Sequence, residues 1–294
     1  MDYRYLGRSA LKVSPLCLGA MMFGGETDEA SSKRIIDKAY DQGVNFIDTA
    51  DVYHAGRSEE IVGRAIAERR DNWVVATKFG FPSSPGPNEQ GQSRKWIIQS
   101  VEASLKRLGT DYIDILYFHR ALADAPMEEG VRAIGDLIRQ GKIRYFGVSN
   151  FRGWRIAEIA RLADQLGIDR PVASEPLYNI VDRTAEVEQL PAAHHYGLGV
   201  VSYSPLARGV LSGKYAVDAA RRPIRARVAA ISASSRPSGG RSRSGSPRRS
   251  PRTRPSAARL RLRSRWRGSS RTGPSAAPLP DRVPKRNGTV MSTR

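Results

Sequence analysis

Cysteine is nearly absent: Cys17 is the only one in 294 residues, which excludes an intramolecular disulfide and a zinc site built on cysteine pairs. Long apolar runs are missing too. No stretch approaches the ~20 residues needed to span a bilayer. The opening Met1-Asp2-Tyr3-Arg4-Tyr5 has no apolar segment of the kind a secretory signal carries. A soluble cytoplasmic protein without a membrane partner is the expectation. Acidic residues are scarce in one region only. From residue 221 onward there are 21 of the 48 Lys+Arg and one of the 29 acidic residues, Asp281, which leaves the first 220 residues with 27 basic and 28 acidic groups. The formal charge of +19 therefore belongs to the C-terminal segment. Asymmetry of that size marks a boundary and excludes reading the whole chain as a basic nucleic-acid binder.

Between residues 1 and 220, short apolar runs alternate with helical patterns. The predicted strands are Leu16–Leu18, Asn45–Asp48, Trp73–Thr77, Ile113–Phe118, Tyr145–Val148, Val172–Glu175 and Gly199–Tyr203. Several are rich in Val, Ile, Phe and Tyr without polar alternation, as parallel strands covered on both faces are. Ile97, Ile98, Val101, Leu105 and Leu108 form one helical stripe, with Ser93 as the predicted N-cap and Gly109 as the stop. Val131, Ile134, Leu137 and Ile138, ending at Gly141, form another. A third helix is expected over Asp28–Gln42, and a fourth capped by Ser58 with Glu59 and Glu60 in its first turn. Residues 3–13 read as a hairpin turning near Gly7-Arg8-Ser9.

Strands that each lead to a helix predict a parallel α/β fold. A doubly wound sheet shares the alternation, but its usual Gly-x-Gly-x-x-Gly turn is missing after the first strand, where Leu18-Gly19-Ala20-Met21-Met22-Phe23 stands. A (β/α)8 barrel is favoured. Seven strands leave it one short, so the last βα unit must follow Tyr215 or be missing. Beyond residue 220 the pattern gives way to Arg, Ser and Pro, as in Arg248-Arg249-Ser250-Pro251-Arg252. Such composition cannot offset an ordering entropy of ~1–2 kcal/mol per residue, and a disordered tail is expected over 221–294.

Polar residues stand where strands end. Asp48 follows Asn45-Phe46-Ile47, Lys78 follows Val74-Val75-Ala76-Thr77, and His119 follows Ile113–Phe118. In a parallel barrel these ends open on one face, and neighbouring strands ~4.8 Å apart bring Asp, Lys and His within mutual reach. Tyr53 lies five residues beyond Asp48, over the same face. Taken singly, each has a plain structural reading: a solvated strand end, a satisfied histidine, a packing tyrosine. Their recurrence on three strands favours a site. His54, His194 and His195 receive no role, and no spacing supports a metal.

The segment Asn45-Phe46-Ile47-Asp48-Thr49-Ala50-Asp51-Val52-Tyr53, followed by Gly56-Arg57-Ser58-Glu59, closely resembles the signature of the aldo-keto reductases. So do Ala76-Thr77-Lys78, Arg107-Leu108-Gly109-Thr110-Asp111-Tyr112 with His119, and Gly147-Val148-Ser149-Asn150-Phe151. Leu6-Gly7-Arg8-Ser9 and Tyr203-Ser204-Pro205-Leu206-Ala207-Arg208-Gly209 resemble the bacterial branch related to potassium-channel β-subunits. The resemblance covers about residues 3–215. It implies NADPH-dependent reduction of a small-molecule aldehyde or ketone by a tetrad of Asp48, Tyr53, Lys78 and His119. Tyr53 would be the general acid, its ionised form favoured by Lys78. Asp48 would hold Lys78, and His119 would orient the carbonyl oxygen. By the same resemblance Ser149 and Asn150 would bind the nicotinamide carboxamide and Tyr203 would stack on its ring. Ser204, Leu206 and Arg208 would line the pyrophosphate path. Glu175 stands where the family often has Gln; a carboxylate can accept from an amide but not donate to it. Met22, Phe23 and Phe79 are candidate lining residues of an apolar substrate pocket, with loop packing as the equal alternative.

After Lys214-Tyr215 the family pattern of helix, strand, 2′-phosphate-binding loop and helix is not recognisable. Three readings stay open. One is a working reductase with a dispensable tail. The second is a catalytically defective barrel fragment from a disrupted reading frame, its tail a frame-shifted translation. The third is a nucleic-acid binder acting through Arg/Ser repeats. Such a tail would bind polyanions without specificity in any case.

Overall fold

The structure, a computed structural model, describes residues 1–83, 85–122 and 125–213. The expected 220/221 boundary, the eighth strand and the Arg/Ser-rich segment all lie outside these residues.

Strands β1 (Arg4–Tyr5) and β2 (Lys12–Val13) pair antiparallel as the expected hairpin. Gly7 allows its turn, with φ +57° and no room for a side chain: a Cβ there would stand 2.5 Å from Gly199 N. Arg8 N–H donates to Gly197 O at 2.9 Å, seating the turn at the start of the last described strand.

The seven expected strands form one parallel sheet in sequential order: β3 (Leu18–Gly19), β4 (Phe46–Asp48), β5 (Val74–Phe79), β6 (Ile113–Phe118), β7 (Ile143–Ser149), β8 (Ala173–Glu175) and β9 (Gly199–Val200). This order excludes the doubly wound alternative, in which the chain returns to the middle of the sheet and winds outward both ways. The curled sheet, with helices between its strands, is that of an incomplete (β/α)8 barrel. Among the described residues, β3 and β9 are not paired to each other.

The helices are α1 (Glu29–Asp41), α2 (Arg57–Ile66), α3 (Arg94–Leu108), α4 (Met127–Arg139), α5 (Gly153–Leu166) and α6 (Gln189–Tyr196). Asp28 caps α1 by accepting from Ser31 N, and Ser93 caps α3 by accepting from Trp96 N. Gly109 ends α3 at φ +63°. One expected cap is corrected. Ser58 is not the N-cap of α2, which begins one residue earlier behind Gly56 at φ +90°. Its buried hydroxyl donates to Ala20 O at 2.7 Å and lies 2.7 Å from Thr49 Oγ1. The hydroxyl thus pins α2 to the loop after β3.

Strand alternation divides the core in two. Phe46, Val74, Ala76, Ile115, Tyr117 and Ala173 pack with Leu6 and Val13 of the hairpin, so the hairpin side chains close one end of the barrel interior. Ile47, Val75, Phe79, Leu116, Phe118, Phe146 and Val148 face the helices. The same alternation turns Asp48, Lys78, Tyr117, Ser149 and Glu175 inward. No helix among the described residues is long and apolar enough to cross a membrane.

Candidate active site

Lys78 is the hub. It is fully buried, and its ammonium donates to Asp48 Oδ1, to Thr49 O at 2.9 Å and to Tyr53 Oη at 3.3 Å. Glu175 Oε1 stands 3.5 Å from the same nitrogen. Burial disfavours the cation, but the Asp48 and Glu175 carboxyls outweigh it and hold Lys78 well above the usual lysine range. Burial pushes Asp48 up, with Lys78 pulling against it. Tyr53 is pushed up to about 12, by burial first, with Lys78 opposing. The Lys78 charge pulls the phenol down, and desolvation exceeds that pull.

Strained backbone positions Tyr53. It opens a short 3-10 turn, Tyr53–Gly56, in which His54 and Ala55 take φ +48° and +56° before Gly56. Left-handed backbone costs a non-glycine residue ~1–2 kcal/mol, and such strain is commonly found where a side chain must be aimed.

His119 follows β6, with its N–H donating to Phe79 O at 2.9 Å. Its ring meets Tyr53 edge-on at 5.9 Å between centroids, and Phe81 edge-on at 4.6 Å. Burial, then the Lys78 charge, lowers it well below the ordinary histidine value. At neutral pH the imidazole is therefore uncharged, with one nitrogen a donor and the other an acceptor. Its buried Nδ1 has no partner among the described residues.

Asn150 closes the next side of the mouth at φ +59°. Its amide donates to His119 O at 3.0 Å and Ser149 Oγ at 3.1 Å, while Oδ1 accepts from the Tyr203 hydroxyl at 2.8 Å. Ser149 Oγ donates to Glu175 O at 3.1 Å. Ser204, Ala207 and Arg208 all adopt positive φ in the turn after Tyr203, where Leu206 and Arg208 are exposed. Arg208 has no ion-pair partner among the described residues.

The apolar candidates separate. Met22 is exposed. Phe23 and Phe79 are buried in the core under the helices, Phe79 against Phe118 at 4.9 Å. Phe79 is turned outward because it follows inward-facing Lys78 on the strand. Phe81, beside His119, is the aromatic that sequence reasoning passed over. A hint was available: two residues beyond Phe79, it is the first aromatic past the end of β5. Asp51 was also missed as a titrating group. It is buried beside Glu59, with neither carboxyl oxygen partnered among the described residues.

The model of the Aldo/keto reductase family matches residues 15–233. The chain belongs to this family. It is 46% identical over 220 residues to a probable voltage-gated potassium channel subunit beta of Arabidopsis thaliana, covering 73% of this chain and 67% of that protein. It is 44% identical over 225 residues to the uncharacterized oxidoreductase YrpG of Bacillus subtilis, covering 73% and 69%. The chain thus spans about two thirds of the length of these relatives.

Proposed function

We propose that this chain is a reductase of aldehydes or ketones that uses NADPH, with Tyr53 as proton donor and Asp48, Lys78 and His119 as its partners. The observation that carries the reading is the Tyr53 hydroxyl, 3.3 Å from a buried ammonium and edge-on to an uncharged imidazole. The high value of the phenol keeps the proton loaded at neutral pH. Once the proton has passed to a substrate oxygen, the Lys78 charge is the group that stabilises the remaining phenolate. Burial makes that charge far more effective than it would be in water. His119, as a neutral donor, orients the same oxygen.

The residues fit a nicotinamide cofactor. Among the described residues, Asp48 Oδ2, Glu175 Oε2 and His119 Nδ1 are buried polar atoms without partners, and Asn150 and Ser149 adjoin His119 and Glu175. Arg208 is an exposed cation suited to a phosphate. The cofactor, when bound, supplies the hydride. Tyr203 now holds Asn150 Oδ1, so acceptance from a carboxamide by that oxygen requires it to share with or displace the Tyr203 hydroxyl.

The test is NADPH consumption by the full chain with a panel of simple aldehydes and ketones, followed by absorbance. Tyr53→Phe should lower turnover ~10²–10⁴-fold, the range of general acid catalysis, with cofactor affinity nearly unchanged. Turnover near the original level in that variant overturns the assignment. No turnover by the unsubstituted chain favours the defective-barrel reading.

A further inference from the structure

An ammonium has three hydrogens to give, and those of Lys78 go to Asp48 Oδ1, Thr49 O and Tyr53 Oη. Glu175 is left with a long ion pair at 3.5 Å, and its buried Oε2 has no partner among the described residues. Among the described residues, the groups facing it are Cys17, Asp48, Tyr53, Lys78, Tyr117 and Tyr203. Only Lys78 among them is a cation, and Asp48 already neutralises it. An ionised Glu175 would therefore be a second negative charge in a water-excluded space, with no further cation among the described residues to balance it.

We propose that Glu175 is carried as a neutral carboxylic acid at neutral pH, and that losing its proton in mild alkali disables the Lys78–Tyr53 pair. The neutral carboxyl has both a donor and an acceptor, as a carboxamide does, and an ionised one has lost the donor. Burial first, then the neighbouring Asp48 carboxylate, pushes Glu175 up to about 8. Once ionised, it competes with Tyr53 Oη for a Lys78 hydrogen and opposes negative charge on the phenol. Glu175 is thus a positioning residue acting through Lys78. The second half of the proposal rests on the reductase reading; the first does not.

Infrared spectroscopy of the full chain tests the first half without any turnover. A protonated-carboxyl C=O band should be present at pH 7, shift on 13C-glutamate labelling, fade between pH 7 and 9 and be absent from Glu175→Gln. No labelled band at pH 7, or one that fades below pH 6, overturns the proposal. If Glu175→Gln does not fold, Glu59→Gln serves instead: the labelled band must survive there, because Glu59 is the other fully buried glutamate. The second half is read from the pH profile of kcat. The unsubstituted chain should lose about tenfold per pH unit above the midpoint, and Glu175→Gln should stay flat across that range. Equal alkaline limbs in both overturn it. Absence of all turnover, with the band present, rejects the reductase reading alone.

Discussion

Lys78 binds Asp48 across adjacent parallel strands, from positions staggered by two residues, since Asp48 is in register with Ala76. The pair is buried, so each charge depends on the other. Removing one partner of a buried ion pair costs ~3–5 kcal/mol, because the remaining charge stays desolvated. Lys78→Met should therefore destabilise the chain by about that amount in urea titrations. The loss should be larger at pH 8 than at pH 5, since carboxyls without their cation must hold a proton to remain buried. Adding Asp48→Asn and Glu175→Gln to Lys78→Met should recover most of the loss. A single variant within ~1 kcal/mol of the original chain would show that the pair contributes little.

Two glycines separate steric from conformational demand. At Gly63 on α2, a Cβ would stand 2.2 Å from Leu108 O, a backbone atom that cannot turn aside. At Gly109 nothing lies within 4 Å, and the only obstacle is φ +63°. Gly109→Ala should cost ~1–2 kcal/mol, the left-handed penalty. Gly63→Ala should cost more, because α2 and α3 must separate to admit the methyl. Comparable urea midpoints for the two would show that the helices yield easily.

The fold was legible because buried parallel strands declare themselves by composition. Trp73–Thr77 and Ile113–Phe118 have no solvent face, and their ends carry Lys78 and His119. The candidate site was legible as residue types at strand ends, which fixes placement but not exposure. Strand alternation could have shown that Phe79, next to inward-facing Lys78, must point to the helices. Ser58 misled because a serine before two glutamates has the composition of an N-cap, while long-range bonds to Ala20 and Thr49 claimed its hydroxyl. The direction of the Tyr53 shift was not legible, since it is a contest between burial and one charge, and burial is a tertiary quantity.

Composition bears on the segment from residue 221 onward. Its 21 basic residues are 20 Arg and Lys285, whereas the first 220 residues hold 19 Arg and 8 Lys. Apart from Ser, its dominant residues, Arg, Pro, Ala and Gly, are encoded mainly by GC-rich codons, as an out-of-frame reading of a GC-rich gene would produce. Translating the coding DNA from codons near 215–225 in the other two frames should give, in one of them, an amphipathic helix, a short β-branched strand and a final helix. If neither frame does, the segment is a genuine extension. Salt-sensitive retention of the full chain on heparin, lost on removing residues 221–294, then becomes the expected result.

Asp51 carries the last pH dependence. Its carboxyl is buried, unpartnered among the described residues and near the Glu59 carboxyl. Burial first, then Glu59, pushes it up to about 7. Below the ordinary carboxyl range both folded and unfolded chains hold this proton, and stability is unaffected. Between there and about pH 7 only the folded chain holds it, so stability falls as pH rises. Above about pH 7 the full penalty is present, at most about 4 kcal/mol at 1.36 kcal/mol per unit. Asp51→Asn removes the ionisation and not the fold contacts. Its urea stability relative to the unsubstituted chain should be near zero or slightly negative at pH 4, rise through pH 6 and reach its greatest advantage at pH 8. Titrating groups that do not interact with Asp51 are common to both chains and cancel in the difference. A difference that stays flat from pH 4 to pH 8 would mean that Asp51 ionises as an ordinary surface carboxyl and that water reaches it.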